Sequence, residues 1–308
     1  MHIRSVAAAS GILLGASALL LPAASAQAAD HPHRPVTVAH RGASAYAPEN
    51  TLAAVDAAAD RDIDWVENDV QRTKDGKLVI IHDTTLNRTT NVEEVFPDRT
   101  SWKVSEFTLK EIKRLDAGSW FGPEFAGERV PTLAQYMNRV SRNHQKLLME
   151  LKAPELYPGI ERQTLNELRR QGWLDRQHVK HRLIIQSFSA DSVKTTHELR
   201  PDVKTGFLGT PAVADLPKYA KFTDQINPSH TTVSSDYVAA VHALRGAHGR
   251  PLEVYTWTVN DAAKAVKVAD MGVDGIITNY PDVIRDAVGH KAKPAAGRNA
   301  VPTASAAA

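Results

Sequence analysis

The alternation of apolar runs with helical stretches constrains the fold of this chain more than any other feature. Buried parallel strands read as continuous apolar runs, and helices separate them, so the pattern is typical of the α/β class. The runs are Val36–Ala39, Trp65–Val70, Leu78–Ile81, Leu147–Leu151, Leu183–Gln186, Val203–Leu208, Val254–Val259 and Gly275–Thr278, with a weaker one at Gln225–Ile226.

Helical patterns fill most of the spaces between these runs. Eight or nine strands over roughly 250 residues favour a (β/α)8 TIM barrel over a doubly wound sheet. No Gly-x-Gly-x-x-Gly motif follows the first strand, which weakens the dinucleotide-binding alternative. The predicted helices are Thr51–Asp60, Thr132–Ser141, Gly159–Gln171, Asp191–Leu199, Ser234–Ala247 and Asp261–Met271.

Two segments break the alternation. Between Asp69 and Lys77 there is no room for a crossover helix, and the turn signal Lys74-Asp75-Gly76 predicts that the chain reverses there in extended form. Residues 84–131 show no helix–strand unit but carry several aromatic residues, among them Trp102 and Trp120. Long segments of this kind on barrels are usually lids or small subdomains. We therefore expect an insertion after the strand that bears His82.

The two ends of the chain predict export and a flexible tail. A short basic start, an apolar run over residues 6–21 and the small-x-small pattern Ala26-Gln27-Ala28 indicate a signal peptide over residues 1–28 and a secreted protein. The apolar run is too weak for a membrane anchor. Residues 291–308 contain almost no large apolar side chain and read as a flexible tail, which leaves a catalytic domain over residues 29–290.

Composition excludes several kinds of site. The 37 basic and 35 acidic residues nearly cancel, which argues against a nucleic-acid partner. The chain has no cysteine, so thiol nucleophiles and cysteine-ligated metals are excluded. No stretch after the signal approaches the length of a membrane span, so no stable span is expected.

Ionisable residues stand where the apolar runs stop. His40-Arg41-Gly42 follows the first run, Glu67-Asn68-Asp69 lies within the second, and His82-Asp83 follows the third. The carboxyl ends of barrel strands converge on one face, so polar residues there indicate chemistry more than core packing. We expect these groups to meet in one pocket.

The carboxylates predict a divalent cation. Glu67 and Asp69 point to the same face of a strand, and Glu150 with Lys152 follows the same spacing in a third strand. Converging carboxylates repel one another unless a cation lies between them, and oxygen ligands favour Ca²⁺ or Mg²⁺. The open alternative is that each acid pairs with a nearby arginine or lysine.

His40 and His82 are the candidates for proton transfer. Each follows an apolar strand and is followed at once by a charged residue, and two imidazoles suit general acid and base work near neutral pH. Arg41 adds a planar donor fork for an anionic group. Phe188 and Trp257 read equally well as core residues or as a wall for the apolar edge of a substrate. Together these groups describe a site for a phosphodiester.

An ordered set of motifs resembles the glycerophosphodiester phosphodiesterase family. The resemblance runs from Val36 to about Arg285. One departure is Asn279, where that family often has aspartate. The motifs are His40-Arg41-Gly42, Pro48-Glu49-Asn50-Thr51, Glu67-x-Asp69, His82-Asp83, Arg88-Thr89-Thr90, Glu150-x-Lys152, Ser187-Phe188, Trp257-Thr258-Val259-Asn260 and Gly272–Thr278.

The resemblance implies a function and roles. It implies His40 and His82 as the catalytic pair, Glu67, Asp69 and Glu150 as ligands of one cation, and Arg41 and Lys152 near the phosphate. The expected reaction is hydrolysis of glycerophosphodiesters, such as glycerophosphocholine, to an alcohol and glycerol 3-phosphate. The alternatives are a lysophospholipase D or sphingomyelinase D-like activity on a lysophospholipid, and a binding protein on a barrel that has lost its site. All the catalytic residues are present, which disfavours the last.

Overall fold

The structure, a computed structural model, describes residues 34–289. The predicted signal peptide (1–28) and tail (291–308) lie outside the described residues. The strands are β1 (Val36–Ala39), β2 (Trp65–Arg72), β3 (Leu78–Ile80), β4 (Lys146–Leu151), β5 (Leu183–Ser187), β6 (Lys204–Leu208), β7 (Gln225–Asn227), β8 (Glu253–Thr256) and β9 (Gly275–Thr278).

Helices separate most of the strands, and four short 3₁₀ turns are also present within residues 34–289. The helices are α1 (Leu52–Ala59), α2 (Val92–Val95), α3 (Leu109–Ile112), α4 (Leu133–Arg142), α5 (Ile160–Arg170), α6 (Arg176–His181), α7 (Ala190–Leu199), α8 (Leu216–Tyr219), α9 (Ser235–His242), α10 (Ala262–Asp270) and α11 (Pro281–Ala287). In this part of the chain no helix has both the length and the apolar character that a membrane span requires.

Eight of these strands close into a parallel barrel, in the order β1, β2, β4, β5, β6, β7, β8, β9 and back to β1. β3 lies outside this ring and pairs antiparallel with the last residues of β2, Val70 opposite Ile80. The barrel confirms the predicted (β/α)8 class, and the antiparallel pair confirms the reversal predicted at Lys74-Asp75-Gly76.

Alternate side chains along each strand point inward and fill the barrel interior. Val38, Leu148, Ile184, Tyr255 and Ile277 form a buried cluster contributed by five strands. Gly275 leaves room for this cluster, since a Cβ there would lie 2.4 Å from the Tyr255 ring. Toward the carboxyl ends of the strands the inward-facing side chains are polar. The apolar cluster therefore forms the floor of a polar pocket.

The side chains on the outer face of the strands pack against the helices. Two large buried clusters lie between strands and helices, one around β2 and β4 and one around β7 to β9. Helix starts carry the expected caps: the Thr132 and Thr108 side chains each form a capping box with the residue three positions on. Such caps set where each helix begins, and hence how long each loop at the barrel mouth is.

Residues 84–131 contain α2, α3 and two 3₁₀ turns around a buried cluster that includes Leu86, Phe107 and Leu115. β3 contributes Val79 to this cluster. The antiparallel β2–β3 pair therefore joins the segment to the barrel through packing as well as through the chain.

Some predicted boundaries differ from the structure. The predicted helix Ser234–Ala247 ends at His242, because the chain turns back at Gly246, whose N–H donates to the Arg250 carbonyl. The predicted strand Val254–Val259 ends at Thr256. Helices α2, α3, α6, α8 and α11 were not predicted.

The first and last strands of the barrel lie side by side. β1 pairs with β9, so the first and last strands are neighbours. Arg34, just before β1, donates a hydrogen bond to the carbonyl of Gly289, just after α11.

Candidate active site

A pocket opens at the carboxyl ends of the barrel strands. Eight of the nine predicted site residues line it, and the ninth, Asp69, is completely buried beside them. The predicted residues that line it are His40, Arg41, Glu67, His82, Glu150, Lys152, Phe188 and Trp257.

The chain enters this site through a tight turn after β1. Arg41 and Gly42 both have positive φ, 56° and 80°. A Cβ on Gly42 would lie 2.6 Å from the Cβ of Ala54 in α1, so only glycine fits this approach. The turn lets the Arg41 backbone N–H donate to Glu67 Oε2 (2.8 Å), which ties the end of β1 to β2.

Three carboxylates converge on one point. Glu67, Asp69 and Glu150 each place an oxygen within 4.8 Å of the others, and among the described residues they are the one such acidic or histidine group. Glu67 and Asp69 alternate with Asn68 along β2, and Asp69 lies opposite Glu150 in the β2–β4 register. All three are buried.

The electrostatics of this triad call for a cation. Burial and the neighbouring carboxylates raise the pKa of Glu67 well above its usual value and that of Glu150 to about 8. Burial would also raise the pKa of Asp69, but Arg41, His82 and Lys152 lower it. Asp69 Oδ1 is buried and has no hydrogen-bond partner in residues 34–289. A hard divalent cation with oxygen ligands fits these residues.

Two basic side chains flank the triad. Arg41 Nε lies 3.5 Å from Asp69 Oδ2, and Lys152 Nζ lies 3.0 Å from Glu150 Oε1 and 3.9 Å from Asp69 Oδ1. Asn50 Nδ2 also donates to Asp69 Oδ2 (2.8 Å), so Asn50 belongs to the site. The next residue, Thr51, instead caps the start of α1.

His40 has a neutral partner. Its Nδ1 lies 2.7 Å from Oδ1 of Asn279, which follows β9. Burial, with help from the charge of Arg41, lowers the pKa of His40 to about 4, although the Asn279 hydrogen bond and the charges of Asp69 and Glu49 oppose that shift. The ring is therefore neutral at physiological pH.

His82 has a charged partner. Its Nδ1 lies 2.7 Å from Asp83 Oδ1, and Arg88 Nε lies 2.6 Å from the other oxygen of that carboxylate. Arg88 also donates two hydrogen bonds to Glu49, which accepts a third from Arg41. Burial lowers the pKa of His82, and the charges of Arg41 and Lys152 add to this, whereas Asp69 and Asp83 oppose it.

Aromatic side chains form one wall of the pocket. The Phe188 ring is 48% exposed and meets Trp257 edge-on at 5.4 Å between centroids. Trp257 Nε1 donates to the Asn227 carbonyl (2.9 Å), which fixes the indole. Lys152 Nζ lies 5.4 Å from the Phe188 ring centroid. These two aromatic residues are thus at the pocket and not in the core.

Sequence reasoning gave no site role to Glu49, Asn50, Asp83, Arg88 or Gln186. Gln186 lines the pocket and accepts a hydrogen bond from Asn227 Nδ2 (2.9 Å). The available signal was position, because Asp83 and Gln186 stand at the ends of apolar runs. Glu49 and Arg88 stand away from the strand ends, in loops that follow β1 and β3, and the side-by-side placement of β1, β2 and β3 brings them together.

Comparison with known proteins agrees with this geometry. The glycerophosphodiester phosphodiesterase of Bacillus subtilis is 37% identical over 278 residues, covering 85% of this chain and 87% of that protein. The enzyme of the same name from Caldanaerobacter subterraneus is 34% identical, covering 81% and 96%. An Oleispira antarctica phosphodiesterase, solved in complex with the product sn-glycerol-3-phosphate, superposes with a TM-score of 0.71 at 29% identity, covering 83% and 97%.

The profile of the Glycerophosphoryl diester phosphodiesterase family matches residues 40–283, which begin at His40 and include every residue of the pocket described above. Its members are phosphoric diester hydrolases. The chain belongs to this family.

Proposed function

We propose that the protein is a secreted, cation-dependent enzyme that hydrolyses glycerophosphodiesters, such as glycerophosphocholine and glycerophosphoethanolamine, to an alcohol and glycerol 3-phosphate. The observation that carries the proposal is the pocket itself, in which two histidines face a buried carboxylate triad flanked by Arg41 and Lys152. The relative solved with sn-glycerol-3-phosphate supports the same product.

Glu67, Asp69 and Glu150 would hold the cation, which we propose to be Ca²⁺ or Mg²⁺ because all the ligands are carboxylates. When bound, such an ion supplies positive charge beside the phosphoryl oxygens and polarises them. Arg41 and Lys152, both at the pocket surface, add charge for the same oxygens. Phe188 and Trp257 form the wall against which the substrate is oriented.

The two histidines move the protons. One removes a proton from the glycerol 2-hydroxyl, which attacks phosphorus, and the other protonates the departing head-group oxygen. Water then opens the cyclic phosphate while the two histidines exchange roles.

Turnover of glycerophosphocholine, followed as release of glycerol 3-phosphate, tests the proposal. We expect His40→Ala and His82→Ala each to lower kcat by about 10²–10⁴-fold. His242→Ala is the control, since His242 pairs with Asp274 outside the pocket and its loss should leave turnover unchanged. Near wild-type turnover in either active-site variant would contradict the two-histidine scheme.

Choline release, which hydrolysis of glycerophosphocholine and of lysophosphatidylcholine would both produce, separates the substrate classes. Lysophosphatidylcholine, run beside glycerophosphocholine, tests the lysophospholipase D alternative. Faster turnover of the acylated substrate would replace the proposed substrate class while leaving the site intact.

Secretion rests on the N-terminal sequence pattern alone. Expression in a secreting host, followed by N-terminal sequencing of the protein in the medium, should give a mature start near Ala29. Retention of the full-length chain inside the cells would contradict it.

A further inference from the structure

One side chain of residues 84–131, that of Arg88, contacts two loops beside the pocket. Its Nε and Nη2 donate to Asp83 (2.6 and 3.0 Å), and its Nη1 and Nη2 donate to Glu49 (2.9 and 2.7 Å). A guanidinium can hold two carboxylates in this way because its N–H groups point outward in a planar, fixed fork. Neither Arg88 nor its two carboxylate partners are among the residues that line the pocket.

Each of the two carboxylates holds one residue that does line the pocket. Asp83 Oδ1 lies 2.7 Å from His82 Nδ1, and Glu49 Oε1 accepts a hydrogen bond of 2.8 Å from Arg41 Nη1. A continuous network, in which carboxylates and arginines alternate, therefore runs from His82 through Asp83, Arg88 and Glu49 to Arg41. One end of it is a proton-transfer group of the proposed function, and the other end is a phosphate-binding group.

The fold of residues 84–131 fixes the position of Arg88. Leu86 is fully buried in the apolar cluster of this segment, and its N–H donates to the Trp102 carbonyl (2.9 Å). Thr90 is also buried, and its hydroxyl donates to the Leu86 carbonyl (2.6 Å). Because Arg88 lies between these two anchored residues, its backbone cannot shift without breaking buried contacts.

The arginine also keeps the two loops together. Its Nη2 donates to both Glu49 and Asp83, so these carboxylates are neighbours that would repel each other without the guanidinium between them. If Glu49 moved away, Arg41 would keep Asp69 as a partner, at 3.5 Å. Its guanidinium would then be drawn toward the triad and away from the substrate phosphate.

We infer that Arg88 is a positioning residue for the reaction, which acts on His82 and Arg41 together. It acts on the first through Asp83 and on the second through Glu49. The inference rests on the proposed function. It gives residues 84–131 a part in catalysis, because this segment sets the geometry of a proton-transfer group and a phosphate-binding group at the same time.

Arg88→Lys tests the inference, because lysine keeps the charge but cannot hold two carboxylates with a planar fork. In turnover of glycerophosphocholine we expect kcat to fall and KM to rise, each by about 10-fold or more, since small displacements of reacting groups cost large factors in rate. Arg200→Lys is the matched control and should leave both constants unchanged. Arg200 also holds a carboxylate with two contacts, to Asp202 (2.8 and 2.7 Å), but it lies after α7 and outside the pocket.

Two further variants separate the two arms of the network. Glu49→Gln should mainly raise KM, because it releases Arg41, and Asp83→Asn should mainly lower kcat, because it releases His82. These variants also test the inference if Arg88→Lys does not fold, which circular dichroism at the assay temperature would show. If neither variant changed its constant, the inference would be wrong.

Double variants distinguish positioning from a purely structural role. Arg88→Lys should raise KM no further when it is added to Arg41→Met, and it should lower kcat no further when it is added to His82→Ala, because the group that it positions is already absent. A structural role would add its full loss in both backgrounds.

Unchanged kcat and KM for Arg88→Lys, or fully additive losses in the double variants, would overturn the inference while wild-type turnover still supports the proposed function. If the wild-type protein releases no glycerol 3-phosphate from glycerophosphocholine, the proposed function itself fails.

Discussion

Asn68 is buried at a cost that the active site does not explain. It lies between Glu67 and Asp69 on β2 and points to the opposite face, which carries Val66 and Val70 of a buried apolar cluster. Both polar atoms of its amide are buried and have no hydrogen-bond partner among residues 34–289. An unpaired buried amide loses its hydration without compensation.

Replacing Asn68 should therefore stabilise the protein. We expect Asn68→Val to raise the free energy of unfolding by about 1 kcal/mol, because the change removes an unsatisfied polar group and adds a good strand former. Denaturant unfolding of both proteins measures this difference.

Asn227→Val is the matched control. Asn227 is equally buried, but its amide donates to Gln186 Oε1 and accepts from the Tyr255 N–H, so its loss should destabilise by about 1–3 kcal/mol. A decrease in stability for Asn68→Val as well would show that Asn68 is satisfied in solution.

At the scale of elements, Arg88 ties residues 84–131 to the barrel. It pairs with Asp83, after β3, and with Glu49, before α1. Its hydrogen bonds are the largest cause that lowers the pKa of Asp83, and with those of His82 they bring it to about 2, well below that of an unfolded chain. A carboxyl group whose pKa is lower in the folded state stabilises the fold above its unfolded pKa, and this stabilisation is lost as pH falls through about 2.

We expect Arg88→Met to lower the free energy of unfolding at neutral pH by about 1 kcal/mol, a value reduced for the partial exposure of both groups. The difference from wild type should shrink as pH falls from about 4 toward about 2, because Asp83 then becomes protonated. Lys103→Met, which removes an exposed pair with Glu106 at 3.9 Å, should change stability by less than about 0.5 kcal/mol. A deficit that stays constant with pH would assign the effect of Arg88 to packing.

Most elements of the barrel could be predicted because strand and helix leave local patterns. β7 was the weakest prediction, since Gln225 and Asn227 fill the interior with hydrogen-bonded polar side chains where apolar ones are expected. Helix α6 is short and polar, with Val179 as its one buried residue, so it has no apolar face to detect. Helix α11 did carry a signal, the proline at its first turn, that was not used.

Some residues of the site could likewise be predicted from the sequence and others could not. His40, Glu67, Asp69, His82 and Glu150 could be predicted because each lies within or just after an apolar strand run whose alternation or end places it. The partners Asn279 and Arg88 could be assigned only from the structure. His40 meets Asn279 because β1 pairs with β9, and Arg88 meets Glu49, 39 residues away, because β1, β2 and β3 are neighbours.

At the scale of the whole molecule, we expect the carboxylate triad to make stability depend on the proposed cation. A ligand that binds only the folded state stabilises it by mass action, so Ca²⁺ or Mg²⁺ at about 100 times its Kd should raise Tm by about 5–10 °C. Glu150→Gln removes one carboxylate ligand of the proposed cation, so it should abolish the increase caused by the cation.

Glu155→Gln is the control, because Glu155 is exposed and lies five residues beyond Glu150, outside the triad. It should keep the full response to the cation. An undiminished increase in Tm for Glu150→Gln in thermal unfolding would exclude the triad as the binding site.

Arg34 and Gly289 are in contact, and β1 pairs with β9. The same ring of strands could therefore be built by a chain that starts at a different strand. A short linker from Gly289 to Arg34 could join these ends, and new ends could be made at the exposed turn between Gly249 and Arg250, at the base of the barrel before β8. Such a circular permutant should unfold cooperatively and keep the pocket, as calorimetry and turnover would show. The fold would then be a closed cycle of β/α units, which chains that start at different units could form.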